Sequence, residues 1–160
     1  MKRKFPAVII FFIMLLSIGE GIGQVDKLRQ LEEERREKAE NVPQSWRIKF
    51  KRARHSILLF KTGVNNYYNA VLFQGKASGK EVDMLINVSI AARQSMKEIS
   101  ACPEEYQAAY EIYKETYESL RKMELMAENK HVAFIHLEEQ KELKKRVDEL
   151  IDEFERLLGL

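Results

Sequence analysis

One cysteine among 160 residues excludes an intramolecular disulfide framework and any zinc site built on several thiolates. Three prolines and seven glycines are too few for collagen or for a low-complexity disordered chain. Apolar and polar residues nowhere alternate for long, so a sheet is not expected. The one strand-like stretch, HVAFIHL at 131–137, sits between helical flanks. There is only one long apolar run, at residues 7–18, which excludes a multi-span membrane protein.

Catalytic motifs are also missing. GKASGK at 75–80 looks superficially like a phosphate loop, but it lacks the glycine spacing and the preceding strand. Glu128 and His131 have the Glu-x-x-His spacing of di-iron bundles, yet no second such motif accompanies them. His131 and His136 stand five apart, a poor helical chelate, and His55 lies in a cationic run. Cys102 precedes a helix start, where a thiol pKa can fall, but nothing in the sequence ties a base to it. Asn87-Val88-Ser89 is a glycosylation sequon in the middle of an expected helix. The sequence therefore points to no enzyme, no cofactor, no metal site and no small-molecule substrate.

What is there begins with an address. Lys2, Arg3 and Lys4 precede the apolar run at 7–18, and Gly19, Gly21 and Gly23 supply small residues after it. That order is the pattern of a secretory signal peptide at 1–23, cut after Gly23 to leave Gln24 first. Twelve apolar residues at about 1.5 Å rise fall well short of a hydrocarbon core about 30 Å thick. The alternative is an uncleaved inner-membrane anchor over 5–22, which would have to include Pro6 and Glu20. Either way the expected compartment is outside the cytoplasm, periplasmic or secreted.

The net charge of +2 belongs to that leader, leaving residues 24–160 neutral. Neutrality hides segregation. Residues 41–80 hold eight basic side chains and no acidic one, whereas 81–160 hold eleven basic and eighteen acidic. The simplest physical expectation is that the two segments pack side by side in one domain.

Helical periodicity dominates the rest. Residues 24–42 read as a polar helix or spacer, and 43–160 as one helical domain. Ser45 is placed to cap a long helix whose stripe is Trp46, Phe50, Ala53, Ile57, Phe60, Val64, Tyr67 and Val71, running to about Gln74 despite Gly63. Ser78 and Glu81 form a capping box for the next helix, with Val82, Leu85, Ser89, Ala92, Met96 and Ile99 as its stripe and Ile86 and Ile90 beside it. Tyr106, Tyr110, Tyr113, Tyr117 and Leu120 mark a third, expected as core. A break is expected near Asn129 before a last helix carrying Leu143, Val147, Leu150, Phe154 and Leu157. The expected fold is all-α, a bundle of three to four long antiparallel helices.

Arg47, Lys51, Arg54 and Lys61 flank the edge of the first stripe, with Trp46 and Phe50 between them. These six residues are the candidate contacts for a protein partner or an anionic membrane or polyanion surface; export makes nucleic acid an improbable ligand. Leader plus compact helical body resembles the layout of small exported accessory proteins of conjugative and type IV secretion machinery, and equally that of periplasmic helical adaptors and holdases. The expected function is that of a non-enzymatic interaction or scaffold protein in the cell envelope or outside it, acting on protein partners or as a homo-oligomer. Amino-terminal sequencing of the protein recovered from the envelope or the medium is expected to begin at Gln24; recovery of intact Met1 from the soluble cytoplasm would contradict export.

Overall fold

A computed structural model describes residues 42–127 and 129–160, together with isolated helical positions between 27 and 37. The expected export segment and most of the polar stretch after it lie outside the described residues, as does Glu128. Among the described residues every regular element is a helix, including the strand-like run at 131–137. No described helix is long and apolar enough to cross a membrane.

Helix α1 runs Gln44–Asn69 and continues as one turn of π-helix over Ala70–Gln74. It therefore reaches the expected end without breaking at Gly63. Its start differs from expectation. Pro43 sits at the N-cap, and its carbonyl accepts the N–H groups of Trp46 and Arg47, both at 2.9 Å. Proline brings a preset φ and leaves the first turn to its own carbonyl, so Ser45 lies inside the helix and caps nothing. Gly75, with φ +83°, closes the π turn in the left-handed region that glycine tolerates.

Helix α2 spans Gly79–Ile99, and the capping box is formed: the Glu81 N–H donates to Ser78 Oγ, and the Ser78 N–H donates to the Glu81 carboxylate at 2.7 Å. A 3₁₀ turn, Glu104–Tyr106, leads into α3, Gln107–Leu125. Asn129 breaks the chain as expected, its side chain accepting from the N–H groups of His131 and Val132. The short α4, Lys130–Ile135, follows, then α5, Leu137–Leu158.

Side-chain partners fix the directions. Arg54 meets Glu155, and two turns further along α1 Lys61 meets Asp148, two turns earlier on α5. These helices are therefore antiparallel. Arg146 with Glu115 and Lys122 with Glu139 show the same relation between α3 and α5. Ser56 with Tyr113 and Phe60 with Tyr117 advance together, so α1 and α3 are parallel. The shared core joins Phe50, Ile57 and Phe60 to Leu85, Ile99, Tyr113, Leu120, Val147 and Phe154, all buried. A second cluster of Tyr68, Val71, Met126, Ala127 and Ala133 seats α4 against the end of α1, where the Tyr68 hydroxyl donates to the Ala133 carbonyl.

The α1–α2 contact is the tightest point. Ser56, Gly63 and Ala70 are buried in line, seven residues apart along α1. A Cβ at Gly63 would stand 2.8 Å from Val88 Cγ2 and 3.8 Å from the α2 backbone at Leu85. Elsewhere in a helix, Gly→Ala gains about 1 kcal/mol of propensity. Here the added methyl must displace a β-branched side chain with one preferred rotamer, an overpacking cost of about 1–3 kcal/mol. Gly63→Ala is accordingly expected to lower the melting temperature by a few degrees, and Val88→Ala added to it to recover most of the loss. A stabilised single variant in calorimetry would contradict the close approach.

Candidate interaction surface

The six candidate residues separate into three groups. Phe50 is fully buried, its ring 5.7 Å from Tyr106 and 6.2 Å from Phe154, so it belongs to the core and to no surface. Arg54 and Lys61 face α5. The Arg54 Nε donates to Glu155 at 2.7 Å, and Lys61 pairs with Asp148. This is the side-by-side packing of basic and acidic segments that the charge distribution led us to expect. Both pairs are part-exposed, so each contributes at most about 1 kcal/mol and mainly fixes register.

Arg47 occupies the next place in the same row, seven residues before Arg54, but α5 has turned off at Gly159 before reaching its level. The Arg47 Nε is buried without a hydrogen-bond partner among the described residues. Lys49 lies over the half-buried Trp46 ring at 3.9 Å, a cation–π contact. Lys51 and Arg52 are exposed. None of these four cations forms an ion pair among the described residues. Ile48, 46% exposed, stands between them.

The tyrosine row is core at one position only. Tyr113 is buried, while Tyr106, Tyr110 and Tyr117 pack half-buried against the core edge. The Tyr113 hydroxyl donates to the Ala92 carbonyl at 3.0 Å and lies 2.9 Å from Ser56 Oγ. It thereby joins α1, α2 and α3 at a single oxygen. Ser56, Ser95 and Thr116 are buried polar residues that an apolar stripe does not reveal. The seven-residue repeat of small side chains on α1 could have disclosed the first of them.

On α2 the stripe departs from expectation. Leu85, Ala92 and Ile99 are buried, but Val82 is exposed, and Ile86 and Ile90 are each 51% exposed. The core stripe is narrow because small residues let α2 lie close to its neighbours, which leaves the flanking aliphatics outside.

Other chemistry is sparse. Cys102 is buried, burial pushes its thiol pKa up, and its carbonyl accepts from the Gln107 side chain. That is the opposite of an activated thiol. His136 and Lys122 both contact Glu139, at 3.0 and 2.7 Å; Lys122 chiefly, with His136, holds that carboxyl below its ordinary range. No group of three or more metal-ligating side chains exists among the described residues. An open cleft of about 450 Å³ lies between the π turn and the start of α2, with Asn66, Phe73, Lys80 and Met84 on its walls. No family model, curated protein or solved structure matches this chain.

Burial pushes the Tyr113 pKa up to about 12, hydrogen bonds from Ser56 and Ser95 opposing it. The unfolded phenol ionises near 10, so the fold favours the neutral form. This contribution is complete below pH 10 and is lost as pH rises toward 12, by about 3 kcal/mol in all. Alkaline unfolding curves are expected to show that loss, and Tyr113→Phe to flatten it between pH 10 and 12 while lowering stability at pH 7.

Proposed function

We propose that this chain is a non-enzymatic exported helical interaction protein, working as a scaffold or accessory component in a cell envelope or outside the cell. Export rests on the basic start and short apolar run of its first residues. The body is read as an up-down-up-down bundle of α1, α2, α3 and α5, an arrangement supported by the antiparallel pairing of α5 with α1 and α3 and the parallel pairing of α1 with α3.

The observation that carries the reading is the division among the α1 cations. Arg54 and Lys61 are neutralised by α5, whereas Arg47, Lys49, Lys51 and Arg52 meet no carboxylate among the described residues. Four cations within two helical turns repel one another, and an acidic partner surface would relieve that repulsion. Trp46 and Ile48 add apolar contact area at the same place. The partner this chemistry fits is a protein presenting carboxylates to the first turns of α1.

A second reading, a peripheral binder of anionic membrane surfaces through residues 45–61, is favoured by one observation: Ile48 protrudes among the cations, as an aliphatic entering a headgroup layer would. A photo-crosslinking residue in place of Lys51 is expected to capture one discrete protein in cells, and Arg52→Glu to abolish that product. No product, with salt-sensitive pelleting on anionic vesicles lost in the Lys51→Glu/Arg52→Glu variant, would replace the first reading by the second. Failure of both assays would overturn both.

A further inference from the structure

The outward face of α2 carries a pattern that neither the core nor the α1 surface uses. Asp83, Ile86, Ile90, Arg93 and Lys97 recur at steps of three and four, the spacing of a coiled-coil seam. Ile86 and Ile90 are half exposed, and Asp83, Arg93 and Lys97 are exposed. Neither Asp83 nor Arg93 forms an ion pair among the described residues.

This seam is symmetric about residue 88. Asp83 precedes Ile86 by three residues, and Arg93 follows Ile90 by three. When two such helices are laid antiparallel about that centre, Ile86 of each faces Ile90 of the other. Asp83 of each then faces Arg93 of the other, so every charge in the seam's central part meets its opposite. Asn87, Ser89 and Gln94, which border the seam, carry no charge that would oppose the approach. A parallel alignment would instead set Asp83 on Asp83 and Arg93 on Arg93.

We infer that α2 is a homodimerisation helix, pairing antiparallel with α2 of a second copy of this chain about a twofold axis at residue 88. The occupant is a second copy because the seam is complementary to itself: an unrelated acidic or basic helix would leave either Arg93 or Asp83 against a like charge. The two apolar residues supply the attraction and the two charges set direction and register. A single helix pair with two isoleucines from each copy is a small contact, so the dimer is expected to be weak, dissociating at about 10–100 μM. This inference goes beyond the proposed function, since pairing of the purified protein requires neither export nor a partner.

Charge swapping tests it, by sedimentation of the reduced protein across that concentration range. Wild type is expected to pass from monomer to dimer. Asp83→Arg puts Arg opposite Arg twice per dimer, and Arg93→Asp puts Asp opposite Asp twice; each is expected to weaken association at least about tenfold, without changing the melting of the monomer. Mixing the two variants restores both pairs in every mixed dimer, and association near the wild-type level is expected to return. A wild type monomeric throughout, single variants that still dimerise, or a mixture that stays monomeric would each overturn the proposal. Loss of the cellular cross-link from position 51 bears on the α1 surface alone and leaves this result standing.

Discussion

The close passage of α1 over α2 at Gly63 is the contact on which the other helices depend. Without a side chain there, Val88 and the Leu85 backbone come within van der Waals reach of the place a Gly63 Cβ would occupy. That separation puts the Ala92 carbonyl and the Ser56 hydroxyl near enough for one phenol, Tyr113, to reach both. Three polar contacts meet there but only two hydroxyl protons serve them, because Ser56 Oγ also lies 2.9 Å from the Ala53 carbonyl. With Tyr113 donating to Ala92, the Ser56 proton serves either the Tyr113 oxygen or the Ala53 carbonyl, and the buried phenol finds a partner on both α1 and α2. A glycine inside a helix is destabilising by up to about 1 kcal/mol relative to alanine. Here that loss is offset by the packing of three helices.

Charge acts at a second level, after proximity has been set. A forty-residue window without a carboxylate would repel itself if it were surrounded by solvent alone. In the fold one edge of α1 lies along α5, and Arg54 and Lys61 find their partners two turns apart on it. Such exposed pairs add little stability individually. Their value is in discrimination. A shift of α5 by one turn would break both pairs at once, and a second copy of α1 in place of α5 would meet only like charge. The cations beyond the reach of α5 are the remainder of this arrangement, which is why they gather at the start of α1 and nowhere else along it.

Much of the fold was legible in the sequence, for reasons that particular residues make plain. The stripe from Phe50 to Val71 predicted a helix unbroken at Gly63, because seven apolar positions in register outweigh one weak residue. Ser78 and Glu81 predicted their own capping box, since both partners are local. The cap at Pro43 was misread because a serine two residues on offered a side-chain oxygen, whereas the backbone carbonyl does the work. The candidate surface was legible only in part. Periodicity placed Phe50 beside Arg47 and Arg54 without saying which side of the stripe would be covered. Ile86 and Ile90 adjoin the α2 stripe in sequence, but their exposure depends on how narrowly small residues let neighbouring helices cover α2, a tertiary fact with no local signature.

That narrow coverage also bears on why isoleucine stands at 86 and 90 at all. Isoleucine is a weaker helix former than alanine, leucine or lysine because its branched side chain loses rotamer freedom against the preceding turn. At half-exposed positions it gains only part of the burial that would compensate. Neither helix formation nor the core of one chain therefore accounts for two isoleucines there, flanked at equal distance by opposite charges. Core demands are met by Leu85, Ala92 and Ile99, on another face of the same helix. A helix that satisfies one set of neighbours through Leu85, Ala92 and Ile99 and keeps two further isoleucines on its opposite side has apolar surface for two contacts, of which the fold of a single chain supplies only the first.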